Sequence, residues 1–498
     1  MKSIRISHFG AISLFIFILG FSYFYRGALF YSSFNLDEVI LTLSSQNIKV
    51  EEYALYKERV GGVVDAFLAN RTFGSLDPGF FTLILHIWTK FSHSTFWLRF
   101  LPFCFFLGLL IGLPLFLTRE SSTQTQIEQE KAERRRGMPL VYCFYSLFLF
   151  SIHPLVMDHA FTIRPYAMEM LGTLYLFFFI QNMRYKCSKI NIAMMLLLCF
   201  FIGSRYYLWI NMAWAFIALM IVDRRNIQNS IQDTLKLLAI PFSFCLFILV
   251  LVFSFQAKTL DTGYMEIYYG SYSQWIKELL GSTSVKLFLS YPLYLGITKI
   301  FFKRKWQRNE SVYFLFLIFS FLGYLLAHLF EISPFRLNER FSLGFHIMGI
   351  VSFSLLGREV MEIIYRYKRE LALLISLFSL FFAFRLSYDF EQKSDLIPIV
   401  QYVRKNVSSN EMVYCDAISC SMVRFLKDFT GHKDLSNTNW PNFKLKEKRE
   451  DKEGWSLDKG LYMTITPINH LGPLGRELEV NKAKILEGYY YQRLFLYD

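Results

Sequence analysis

Charge is what this sequence has least of. Asp, Glu, Lys and Arg make up 19% of its 498 residues, against about a quarter in ordinary soluble domains. Hydrophobic residues reach 54%, with 54 Phe and 30 Tyr, which leaves too little polar surface to cover one or several soluble cores. Several signatures are also missing. No glycine-rich loop ends in Gly-Lys-Ser or Gly-Lys-Thr, and no Gly-x-Gly-x-x-Gly follows a strand pattern, so an ATP-driven pump or a dinucleotide enzyme finds no support. No Gly-x-Ser-x-Gly elbow is present, no His/Cys/Asp spacing has the form of a metal-binding run, and no fixed-period repeat occurs. Low complexity is confined to the polar stretch 121–130.

What charge there is carries a sign. The 53 Lys and Arg exceed the 40 Asp and Glu by 13, but they form no continuous basic face of the kind nucleic acid requires. Arg134-Arg135-Arg136, Arg224-Arg225, Lys303-Arg304-Lys305 and the cluster from Arg366 to Arg369 each sit in a short gap between apolar runs. That is the pattern by which Lys and Arg hold loops on the cytoplasmic side. Apolar stretches long enough to cross a bilayer begin near His8, Trp97, Leu140, Met168, Ile190, Tyr207, Leu237, Thr283, Ser311, Phe341 and Leu371, which makes eleven. The first has no small-residue cleavage site after it and reads as an uncleaved anchor.

Pro78 to Phe91 decides the topology. It is apolar for 14 residues, a length suited to an interfacial helix rather than a span. Laid along the surface, it puts every basic cluster on the same side as Lys2 and Arg5, in keeping with the positive-inside rule. The expected fold is therefore an all-α polytopic membrane protein. Residues 1–386 form the membrane domain, with a cytoplasmic N-terminus and a large external loop over 31–96, and residues 387–498 form a small α/β extracytoplasmic domain. The helical pattern over 396–403 and the strand patterns over 411–415 and 460–466 suggest that module. Cys415 and Cys420 both fall in it, either as a disulfide of an oxidising compartment or as two buried thiols.

The residues that could carry chemistry lie on the expected external face. Asp37-Glu38 follows the first span, as a general base or cation ligand at the headgroup boundary or as a carboxylate pair at a helix N-terminus. Asp158-His159 stands six residues before Arg164-Pro165-Tyr166, where Arg164 could hold a phosphate or pair with Asp158. Arg340, after Glu339, is another phosphate clamp or a snorkelling interface arginine. Arg99, Arg205 and Arg336 share that ambiguity. His86 and His93, flanking Trp88, read as interface anchors. The aromatic loop from Tyr264 to Trp275 could stack on a sugar ring or simply mark the interface.

In order along the chain, these features resemble the GT-C superfamily of membrane glycosyltransferases, in its protein mannosyltransferase-like and aminoarabinose transferase-like bacterial branch. The matching stretches are Leu36-Asp37-Glu38, the apolar run opening at Asp77-Pro78-Gly79, Arg99-Phe100-Leu101-Pro102, Ile163-Arg164-Pro165-Tyr166-Ala167 and Glu339-Arg340-Phe341. Three positions depart from the family pattern. Asp77-Pro78-Gly79 replaces His-Pro-Pro, Thr162 stands where many relatives have Glu, and Phe341 replaces Tyr.

The resemblance implies an inner-membrane enzyme. It would move a sugar, with inversion, from a polyprenyl-phosphate-linked donor to an extracytoplasmic lipid, glycan or protein acceptor. It further implies Asp37 as the base, with Glu38 and Asp158 as further catalytic carboxylates. Arg164, Tyr166 and Arg340 would take the donor phosphate, and His159, Asp77 and Arg99 would support them. A divalent cation could assist at Glu38 or Asp158, although nothing in the sequence requires one. The rival readings are a transporter or lipid flippase, a surface-polysaccharide polymerase or ligase, and a non-catalytic membrane assembly partner. Against the transporter, acidic residues concentrate at the ends of spans rather than at the bilayer midplane.

Overall fold

The computed structural model describes residues 36–48, 61–69, 77–123, 162–182, 189–223, 227–256, 290–297, 308–329, 343–352, 412–425, 444–447, 456–465, 473–488 and 492–497, with isolated positions between them. These residues fall into two compact units. One collects residues 1–24, 76–80 and 102–390, and the other 25–75, 81–101 and 391–498. The expected domain boundary at 386/387 lies outside the described residues, as do the expected spans near His8 and Leu371 and nearly all of the one near Leu140.

Besides a short helical stretch over 290–297, which falls in the expected span near Thr283, ten helices of the apolar part are described. They are α1 (Leu36–Ser45), α2 (Val63–Ala69), α3 (Phe80–Thr89), α4 (Thr95–Thr123), α5 (Tyr166–Asn182), α6 (Lys189–Ile202), α7 (Tyr206–Val222), α8 (Ile227–Ile248), α9 (Arg308–Leu329) and α10 (Leu343–Ser352). The expected spans near Trp97, Met168, Ile190, Tyr207, Leu237, Ser311 and Phe341 coincide with α4 to α10. Two described stretches are long and apolar enough to cross a membrane, Thr95–Leu113 and Leu238–Gln256, while α3, Tyr166–Gln181, Ile192–Ile202, α7 and α10 are apolar but shorter. The second long stretch contains Pro241, which removes an intrahelical hydrogen bond, and continues through a π turn at Leu249–Phe253. Within the first unit α5 packs on α6 and α7, α6 on α8, and α7 along α9.

Several apolar side chains of these helices lie outward, with Phe242 and Val250 exposing 61% and 64% of their surface, while the polar Glu169, Asn211 and Ser320 are fully buried. Exposed apolar side chains are what a hydrocarbon solvent favours.

Helix α3 runs for ten residues. At about 1.5 Å of rise per residue it covers about half the hydrocarbon thickness, so it does not span. It starts after Gly79, whose φ of 104° a residue with a Cβ adopts only at a cost. Trp88 near its end stacks on Trp97 of α4 with centroids 4.4 Å apart. Each indole N–H donates to the other residue's carbonyl, at 2.7 and 2.9 Å.

The C-terminal residues form a five-stranded sheet built from β1 (Met412–Cys415), β2 (Lys444–Glu447), β3 (Gly460–Ile465), β4 (Lys484–Gly488) and β5 (Gln492–Tyr497), in the order β2-β1-β3-β5-β4. β1 pairs in parallel with β2 and β3. β5 runs antiparallel to β3 and to β4, with a bulge between Ile485 and Glu487. Helix α11 (Ala417–Arg424) follows β1 and is capped by Asp416, which accepts from the Ser419 N–H at 2.7 Å. Helix α12 (Pro473–Val480) lays Leu474 and Leu478 against Tyr462 and Phe495. Cys415 and Cys420 are joined as a disulfide, with their Cα atoms 5.5 Å apart.

Candidate functional site

Two clusters of buried charge are built partly from residues the sequence singles out. The first lies in the second unit and begins at α1. Asp37 occupies the first turn of that helix, and its side chain lies outside those described. Its neighbour Glu38 is 2% exposed and meets Arg99, equally buried, in the first turns of α4. Arg99 Nη2 donates to Glu38 Oε2 at 3.0 Å and Nε to Oε1 at 3.4 Å, a two-pronged contact between residues 61 apart in sequence. A planar guanidinium matches a carboxylate in this way and a lysine ammonium does not. The other end of α1 is tied to α3. His86 Nδ1 donates to the Ser45 carbonyl at 2.7 Å, which fixes its tautomer, and Gln46 Nε2 donates to Thr89 Oγ1 at 2.7 Å.

The second cluster lies in the first unit, around Arg205, which sits in extended conformation just before α7. Its Nη1 donates to Glu169 Oε2 at 2.5 Å, and its Nε lies 3.4 Å from Asp77 Oδ1. Two tyrosine rings cover the guanidinium, Tyr166 at 4.7 Å and Tyr207 at 5.2 Å, in cation–π geometry. Arg205 is 3% exposed, Glu169 0% and Asp77 9%. Burial by itself would lower the Arg205 pKa, but Glu169 and Asp77 outweigh it and hold the guanidinium above its ordinary value. Gln256 Nε2 donates to the Asp77 carbonyl at 3.1 Å, and its Oε1 accepts from Tyr206 Oη at 2.9 Å. The Phe80 N–H donates to the Gly203 carbonyl at 3.1 Å.

The remaining sequence candidates are distributed around these two. Tyr166 is buried under Arg205, and the His159 ring lies 4.4 Å from it. Arg164 is half-buried in the turn before α5, with its backbone N–H bonded to the Thr162 carbonyl at 2.6 Å. Asp158, Arg336, Arg340 and the loop from Tyr264 to Trp275 lie outside the described residues. Sequence reasoning missed Glu169 altogether and gave Arg205 only a weak claim. The signal for Glu169 was present, because a single carboxylate inside Tyr-Ala-Met-Glu-Met-Leu is costly in an apolar helix unless it is paired. Among the described residues no three of His, Cys, Asp and Glu come together as a metal site.

No protein-family model matches the sequence, and no curated protein matches it either. Among solved structures, the chain is similar to ArnT from Cupriavidus metallidurans bound to undecaprenyl phosphate. The TM-score is 0.42 and the identity 10%, over 99% of this chain and 98% of that one. At that likeness no residue role passes from one chain to the other, and the site stands on its own geometry.

Proposed function

We propose that this chain is an integral-membrane glycosyltransferase. It would transfer a sugar from a polyprenyl-phosphate-linked donor to an extracytoplasmic acceptor, with Asp37 as general base. The observation that carries the reading is the buried Glu38–Arg99 pair. It joins two motif residues 61 apart in sequence, so that α1 is held with Asp37 on its first turn near the start of α4. A base has to be held in place before its pKa matters.

In the proposed step the acceptor hydroxyl or amine gives its proton to Asp37, and its oxygen or nitrogen bonds to the anomeric carbon. The bond from that carbon to the lipid-phosphate oxygen breaks on the opposite face, and its electron pair leaves with the phosphate. One displacement of this kind inverts the anomeric centre and forms no covalent glycosyl-enzyme. Arg164 and Arg340 are the proposed groups that neutralise charge on the departing phosphate. The exposed apolar side chains of α6 to α8 support a membrane location.

Transfer from a panel of radiolabelled polyprenyl-phosphate sugars, in membranes holding equal amounts of wild type or Asp37→Asn, tests this. Transfer lost only in the variant is the expected result. Equal transfer by both removes Asp37 from the mechanism, and no transfer from any donor by the wild type favours the transporter reading.

A further inference from the structure

The Arg205 cluster has no part in the step just described, yet it gathers two carboxylates and two tyrosine rings around one buried guanidinium. Its occupied contacts argue against a role in holding the donor. Glu169 and Asp77 already meet the guanidinium, and Glu169, wholly buried, keeps Oε1 without a hydrogen-bond partner. An anionic phosphate approaching Arg205 would have to displace Glu169 or Asp77 from it and would meet the second carboxylate at close range. The two tyrosine rings occupy further approaches to the guanidinium.

What the cluster does hold is a turn. Residues 77–80 are gripped by the Asp77 carboxylate on Arg205, the Asp77 carbonyl on Gln256 and the Phe80 N–H on the Gly203 carbonyl. The Phe80 ring meets Phe244 edge-on at 5.3 Å. A Cβ at Gly203 would lie 2.6 Å from Phe80 Cγ, so only glycine admits that ring. Helix α3 starts at the end of this turn, and the N–H of its first residue is a group no intrahelical bond can satisfy.

We propose that Arg205 and Glu169 are positioning residues, which latch the 77–80 turn and so fix where α3 begins. The latch rests on geometry alone; its effect on transfer rests on the glycosyltransferase reading. Arg205 donates to Glu169 through Nη1, while its Nε stands 3.4 Å from Asp77 Oδ1 as an ion contact without hydrogen-bond geometry, so Glu169 sets where the guanidinium charge lies relative to Asp77. Lysine has one point charge and cannot span both.

The test uses the full chain in lipid nanodiscs, with hydrogen exchange read on peptides covering 77–83 and, as control, the Thr95–Leu113 helix. Arg205→Gln should speed exchange of the first set about tenfold and leave the control unchanged, with Arg205→Lys between that and wild type. In transfer assays Arg205→Gln should lower kcat about tenfold with the donor KM unchanged, since uniform donor binding is not what is lost. Unaltered exchange in Arg205→Gln overturns the latch. So does a raised donor KM with unaltered exchange, which would make Arg205 a phosphate ligand. Where Arg205→Gln fails to accumulate, Arg205→Lys and Asp77→Asn carry the same readouts. If the wild type transfers from no donor, the glycosyltransferase reading fails, and the exchange comparison still decides the latch.

Discussion

Two buried arginines at the starts of apolar helices are neutralised in different ways. Arg99 meets Glu38 through two of its nitrogens. Arg205 meets Glu169 through Nη1 and Asp77 near Nε, and lies under two aromatic rings. A two-pronged pair joins two segments. An arginine placed between two carboxylates ties together three, and its geometry fails if either partner moves. The difference assigns the first to holding the motif helix and the second to holding a turn. An arginine motif near a membrane surface is thus not by itself a phosphate site.

The sharpest way to break the comparison is to remove one partner of the two-pronged pair. Arg99→Ala strands Glu38 without its counter-ion in a site that is 2% exposed. The expected cost is about 3–5 kcal/mol, read as loss of folded protein and a lower thermal midpoint in detergent. The double variant Glu38→Gln with Arg99→Met should recover much of that, because an uncharged, well-filled site is often as stable as the ion pair it replaces. A double variant as unstable as Arg99→Ala would show that shape, not charge, joins α1 to α4.

A smaller effect is expected where the second region relies on close approach rather than charge. Gly203→Ala brings a methyl group to 2.6 Å from Phe80 Cγ, which overpacking data price at about 1–3 kcal/mol. Adding Phe80→Leu, which removes ring atoms there, should restore part of the loss in the same thermal assay. No rescue would place the strain in the α6–α7 turn instead of in the ring contact.

How much of this was legible beforehand follows from the range of each interaction. Helix positions, the short α3, the strands β1 and β3 and the proximity of Cys415 to Cys420 are local consequences of apolar period, length and spacing. Glycine and proline at 78–79 mark the start of α3 because they restrict the backbone there. Partner choice is not local. Nothing around Glu38 points to Arg99, 61 residues on, and nothing around Glu169 points to Arg205, 36 residues on. Such pairs become visible only when helices are brought side by side. The strands β2, β4 and β5 also escaped sequence reading. They are four to six residues long, and two are rich in Lys, Arg and Glu, so the alternation that marks a half-buried strand is weak in them.

The smallest expected effect separates the two ends of α1. Its first turn is fixed by charge through Glu38, but its last turn is fixed by neutral bonds, Gln46 to Thr89 and His86 to the Ser45 carbonyl. Thr89→Val keeps the side-chain shape and removes the hydroxyl, and Gln46 Nε2 retains Ser45 Oγ at 3.1 Å. Thr89 Oγ1 also donates to the His86 carbonyl at 2.8 Å, so two neutral hydrogen bonds are lost and the cost should be about 1–2 kcal/mol. It should also add to that of Glu38→Gln, since distant sites without shared partners contribute independently. A cost for the combination well above the sum would mean that the two ends of α1 are coupled. The helix that carries Asp37 would then be held as one rigid piece rather than by two separate fastenings.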